Sequence, residues 1–116
     1  MYEYKVKEVV SIYDGDTMKV ILDLGFDITA KLTLRLYGIN APEIRGEERP
    51  EGLNSRDWLR GVISHAQEQG AGIIVKTHKD KTGKYGRMLA EIFIDDMVVS
   101  VNRQMVMEGY AKEYML

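Results

Sequence analysis

The chain has 116 residues, 45% of them hydrophobic and 29% charged, with a formal net charge of −2. That is the composition of an ordinary globular domain and excludes disordered and fibrous classes, and the length suits one domain spanning 1–116. The absence of cysteine excludes a disulfide framework, thiolate metal sites and thiol nucleophiles.

The N-terminus alternates Tyr4 and Val6 with Lys5 and Lys7 and lacks the continuous apolar run of a secretory signal. No stretch approaches the length of a membrane span. The chain as written therefore reads as cytoplasmic, although a leader already removed would leave no trace in it.

Tyr4 to Ile12 is rich in β-branched and aromatic residues and predicts a strand. Asp14-Gly15 is a hairpin turn signal, and Met18 to Leu24 continues as a second strand. Gly25 turns the chain again. In the third strand, Ile28 to Leu36, the residues Leu32, Leu34 and Leu36 share one face, while Lys31, Thr33 and Arg35 share the other. Pro42 and Pro50 bracket a polar stretch, Ile44 to Gly52, without periodicity, which predicts an exposed, mobile loop.

A helix is expected next, with Asn54 and Asp57 at its start, Trp58, Val62 and Ala66 recurring every four residues, and Gly70 as its stop. Ile73 to Thr77 predicts a strand, Thr82 to Gly86 a turn, and Met88 to Ile94 a further strand closed by Asp95-Asp96. A short helix follows, capped by Ser100 and ending at Gly109. Five strands with a helix between the third and fourth predict a mainly β, α+β protein built on an OB-fold barrel, a platform that often binds oligonucleotides. Fold alone does not assign chemistry.

Lys76, Lys79, Lys81, Lys84 and Arg87 against the single Asp80 give the 76–87 segment a local formal charge of +4. A run of this kind is either a solvated loop or a phosphate-binding surface. His65 and His78 have no second histidine or carboxylate at metal-ligand spacing and read as structural or solvated.

Three segments carry the chemistry: Asp14-Gly15-Asp16-Thr17, Arg35-Leu36-Tyr37-Gly38-Ile39-Asn40-Ala41-Pro42-Glu43, and Lys84-Tyr85-Gly86-Arg87-Met88-Leu89-Ala90. Singly each is weak. In this order, with the helix between the second and third and with Gly109-Tyr110-Ala111-Lys112 near the end, the chain resembles the staphylococcal-nuclease-like (thermonuclease) family from about Val6 to Lys112.

The resemblance implies an OB-fold enzyme that hydrolyses DNA and RNA, favouring single-stranded substrate, with calcium (Ca2+) as cofactor. It implies Asp16 as metal ligand, Arg35 and Arg87 as phosphate-binding arginines and Glu43 as general base. Lys84 and Tyr85 match positions that contact terminal phosphates. Tyr114 is a candidate stacking ring, with Tyr37 as the alternative.

Asn40 stands where the best-known family member has a second metal-binding aspartate. The expected ligand set is therefore Asp16, Asn40 and the backbone carbonyl of Ala41, with weaker calcium affinity because one charge is lost. The family's long C-terminal helix is not matched. Either the remaining core is tighter than the pattern shows, or an apolar surface is left for a partner or a second copy, with Met105, Met107 and Met115 as candidates for that surface or for core filler. The alternative reading of the chain is a noncatalytic OB module that binds nucleic acid or protein.

Overall fold

The computed structural model describes residues 2–82, 87–95 and 97–114, excepting the side chains of residues 79–82. Five strands close into a barrel: β1 (Tyr2–Asp14), β2 (Thr17–Asp23), β3 (Thr29–Leu36), β5 (Ile73–Thr82) and β6 (Met88–Ile94). Their order around the barrel is β1-β2-β3-β6-β5, with β5 pairing back onto β1. Two-residue strands β4 (Ile39–Asn40) and β7 (Lys112–Glu113) pair with each other outside the barrel. The expected α+β architecture and OB-like topology are what the chain adopts.

Alternation along the strands fills the barrel. Met18, Val20 and Leu22 from β2, Leu34 and Leu36 from β3, Val75 from β5, and Ala90 and Ile92 from β6 are all buried. β1 is 13 residues long and changes register against β2 three times, between Val6 and Glu8, Val9 and Ser11, and Ile12 and Asp14. Such bulges bend and coil a strand, which lets β1 pair with both β2 and β5.

The main helix, α1 (Arg49–Glu68), begins earlier than its Asn54 and Asp57 signals suggested, and it is preceded by a 3₁₀ turn over Gly46–Glu48. Much of the expected 44–52 loop is therefore helical. Pro50, read as a loop marker, sits in the first turn, where its missing N–H costs nothing and its fixed φ suits a helix. The buried stripe is also displaced from the expected one. Gly52, Ser55, Leu59, Ile63 and Ala66 face inward, and Trp58 and Val62 flank them. Gly61, which weakens a helix interior, lies on the exposed side.

The second helix, α2 (Val101–Met107), is capped as expected by Ser100, whose Oγ accepts from the Arg103 N–H at 3.0 Å. Asn102 is buried in it and fully bonded. Its Oδ1 accepts from the Ile92 N–H, and its Nδ2 donates to the carbonyls of Tyr37 and Ala90. This one side chain ties α2 to β6 and to the loop that follows β3. Among the described residues, no helix is long and apolar enough to cross a membrane.

Candidate nucleic-acid site

The site is assembled at one end of the barrel by three strand ends. Gly15 and Asp16 make the tight turn between β1 and β2, and Thr17 pairs directly opposite Arg35 at the end of β3. β6 then runs parallel to β3, with Met88 opposite Leu34, so Arg87 arrives beside the same corner. Residues 70 positions apart in the chain meet there because the barrel closes on that parallel pairing.

Asp16 is the hub, and it is 6% exposed. Its Oδ2 accepts from the Ala41 N–H at 2.8 Å and lies 3.4 Å from Arg35 Nη2. Its Oδ1 accepts from the Thr17 hydroxyl at 3.2 Å. Thr17 Oγ1 in turn accepts from Arg87 Nη1 at 3.3 Å. One buried carboxylate thus orients the first arginine directly and the second through a hydroxyl. Arg35 is further fixed by donating from Nη1 to the Leu36 carbonyl at 2.8 Å and from Nη2 to Asn40 Oδ1 at 3.3 Å.

Two glycines permit this closeness. A Cβ on Gly15 would stand 2.7 Å from Ala41 Cβ and 2.9 Å from Ser55 Cβ, so the turn carrying Asp16 seats against Ala41 and α1 only without a side chain. A Cβ on Gly52 would stand 2.1 Å from the Glu43 carbonyl oxygen. The Glu43 segment therefore lies directly against the α1 backbone. It is held there by the Glu43 N–H, which donates to Glu48 Oε1, and by Arg49 Nη1, which donates to the Ile44 carbonyl.

Asp14 belongs to the cluster, although the sequence reading singled out only Asp16 from that motif. Its Oδ1 accepts from the Asp16 N–H at 3.1 Å. Burial and then the nearby Asp16 charge push its carboxyl up to about 6 from an ordinary 3.8. The signal was available, since the Asp-Gly-Asp turn puts two carboxylates two residues apart, but the first was read only as a turn former.

Asp16, Arg35, Asn40, Ala41 and Arg87 are brought together. Of Ala41, the contact seen is its N–H on Asp16; its carbonyl enters only as a proposed ligand. Glu43 is exposed, and its contact seen is with Glu48 rather than with the Asp16 cluster. Lys84 and Tyr85 lie outside the described residues. Tyr114 is anchored by its N–H to the Gly38 carbonyl at 2.8 Å, with the residue 46% exposed. The alternative ring, Tyr37, is stacked on His78 with centroids 3.6 Å apart, so one of its faces is taken. His78 also pairs with Glu91 at 2.9 Å, in keeping with a structural role.

Trp58, Val62, Ala66, Ile94 and Met97 line a groove beside α1 that shares no residue with the Asp16 cluster. Met105 is fully buried in the core, Met107 is exposed, and Met115 lies outside the described residues.

Residues 33–116 match the family described as staphylococcal nuclease homologue. The chain belongs to this family. It is 27% identical over 132 aligned positions to an uncharacterized protein of Methanocaldococcus jannaschii, covering 97% of this chain and 61% of that protein. It is 32% identical over 114 positions to Protein ParB of Escherichia coli, covering 92% of this chain and 56% of that protein. The chain therefore spans between half and two thirds of the length of these relatives.

Proposed function

We propose that this staphylococcal nuclease homologue hydrolyses phosphodiester bonds of single-stranded DNA or RNA in a calcium-dependent reaction. The observation that carries the reading is the convergence of Arg35 and Arg87 on the Asp16–Thr17 corner. Two planar guanidiniums so oriented suit the non-bridging oxygens of one phosphate, whose negative charge otherwise repels a nucleophile. Paired N–H donors serve that geometry better than lysine does.

The donor set fits a hard cation. Among the described residues no group of three or more His, Cys, Asp or Glu is gathered. Calcium would therefore rest on Asp16, the neighbouring Asp14, the Asn40 amide oxygen, the Ala41 carbonyl and water, all oxygen donors. Burial and then the Asp16 charge raise the Asp14 pKa, and a divalent ion beside the two carboxylates would relieve the second of these. Bound there, calcium would supply charge neutralisation at the phosphate.

Glu43, exposed on a segment seated against α1, is assigned as the base that takes a proton from the attacking water, a role worth about 10²–10⁴ in rate. Lys84 and Tyr85 are assigned to phosphate contacts and Tyr114 to base stacking, which tolerates any base.

The test is incubation of the protein with single-stranded DNA and RNA at millimolar-scale calcium and then with chelator. Cleavage that needs calcium supports the assignment. Binding without cleavage would instead make the chain a noncatalytic module. Glu43→Gln should abolish cleavage while retaining binding, and full activity in that variant would sink the base assignment.

A further inference from the structure

Three residues before Asp16, Tyr13 takes part in an arginine contact that the catalytic reading does not use. Arg45 donates from Nη2 to the Tyr13 hydroxyl at 2.7 Å, joining residues 32 positions apart. Tyr13 projects from the outer face of β1, 47% exposed, between buried Ile12 and half-buried Asp14. Arg45 is exposed and stands two residues beyond Glu43. In the strand order β1-β2-β3-β6, Tyr13 lies on β1, with Arg45 bonded to it, whereas Arg35 lies on β3 and Arg87 just before β6. A single strand whose phosphate sat at Asp16 would meet this pair if it left the β1–β2 turn on its β1 side.

We propose that Tyr13 and Arg45 form a subsite for the neighbouring nucleotide of a single strand, with Arg45 on its phosphate and the Tyr13 ring under its base. The inference rests on the nucleic-acid reading above.

A guanidinium offers five N–H donors in one plane, and the contact with Tyr13 uses one nitrogen. The tether fixes the plane and adds to the preference for the charged form. It lowers the ordering cost of a phosphate contact relative to an untethered side chain. An exposed ring beside a fixed cation is the combination that sequence-independent single-strand binding uses. Glu47, Glu48 and Glu51 make the surroundings acidic, so Arg45 acts by contact rather than as part of a broad positive field, and Glu48 is already engaged by the Glu43 N–H.

The bland reading makes the pair a tether for the 43–45 segment, and substrate length separates the two. Binding is measured by fluorescence anisotropy in chelator, where a calcium-dependent reaction does not proceed, with labelled oligothymidylate octamer and with a labelled mononucleotide. Arg45→Ala and Tyr13→Leu should each weaken octamer binding on the order of tenfold, the scale of one stacked base, and leave the mononucleotide unchanged. Arg45→Ala should also flatten the salt dependence of octamer binding by about 0.7 in log–log slope, one phosphate contact on a single strand. Tyr13→Phe, which keeps the ring and loses the tether, should weaken octamer binding less than Tyr13→Leu does.

Unchanged octamer affinity and salt slope would overturn the subsite, as would equal weakening of octamer and mononucleotide. Arg35→Ala and Arg87→Ala run in parallel keep the two claims apart. If they alone weaken the octamer, the subsite fails and the wider reading stands. If only the Arg45 and Tyr13 variants do, the Asp16 reading fails, and the pair is a separate single-strand contact rather than a neighbouring subsite.

Discussion

Arg35 donates to Asn40 Oδ1 at 3.3 Å from the same nitrogen that lies 3.4 Å from Asp16 Oδ2. Asn40 thus completes the arginine's setting while contributing no charge to the proposed cation site. Asn40→Asp adds a carboxylate at this point and should lower the calcium concentration for half-maximal cleavage on the order of tenfold, since ligand charge count tunes calcium affinity over several decades. A calcium titration of activity in the two proteins measures it. Superimposable curves would mean that the position 40 side chain is not a ligand of consequence.

Asp14 makes stability depend on pH in a direction opposite to that of a salt-bridged carboxylate. Its folded pKa of about 6 exceeds the ordinary 3.8, so between those values the folded state binds more protons than the unfolded one. Its penalty is fully present above pH 6 and fades as pH falls through 6 toward 4. In chelator, Asp14→Asn should therefore raise Tm at pH 7.5, with the gain shrinking toward pH 4. The amide oxygen can still accept from the Asp16 N–H, so the turn is preserved. Thermal melts across this range check it, and a pH-independent difference would sink the assignment.

Gly52 makes a prediction about Glu43. With the Glu43 carbonyl oxygen 2.1 Å from where a Cβ would stand, Gly52→Ala must push backbone from backbone, and overpacking of this kind costs about 1–3 kcal/mol. Helix propensity alone would favour Ala by about 1 kcal/mol. A measured loss of stability in denaturant unfolding therefore identifies the contact as the dominant effect, and a gain would contradict it. Cleavage should fall by more than binding does, because the displaced segment carries the proposed base.

The strands were legible because inward alternation leaves a period-two trace, clearest from Leu32 to Leu36. Their ends were less so. β5 runs on to Thr82, beyond its apolar residues, by pairing with β6, and pairing partners are not written in local sequence. The start of α1 was misplaced because Pro50 is at once a loop signal and a first-turn residue, and because Gly52 and Ser55 carry the buried face without being hydrophobic. Most of the site was visible through its three motifs. The meeting of Arg87 with Thr17 and the sharing of Asp16 between Arg35 and Ala41 depend on barrel closure, which motif order could suggest only by resemblance.

The β2–β3 connection carries a cost that can be removed. Ile28 donates its N–H to the Gly25 carbonyl at 2.9 Å across Phe26 and Asp27, which have φ of 54° and 61°. Both are left-handed, the arrangement of a type I′ turn, for which Asn-Gly is the favoured pair. Phe26 is also 97% exposed, so no burial offsets the crowding of its Cβ, and a left-handed L-residue costs roughly 1–2 kcal/mol. Replacing the pair with Asn-Gly by F26N and D27G should stabilise the protein by about 1 kcal/mol or more, a rise in Tm of several degrees for a chain of this size. The hairpin tip joins the ends of β2 and β3 opposite to those that hold Thr17 and Arg35, so nucleic-acid binding should not change. A lower Tm would overturn the assignment of strain to this turn, because an almost fully exposed ring leaves no burial to set against it.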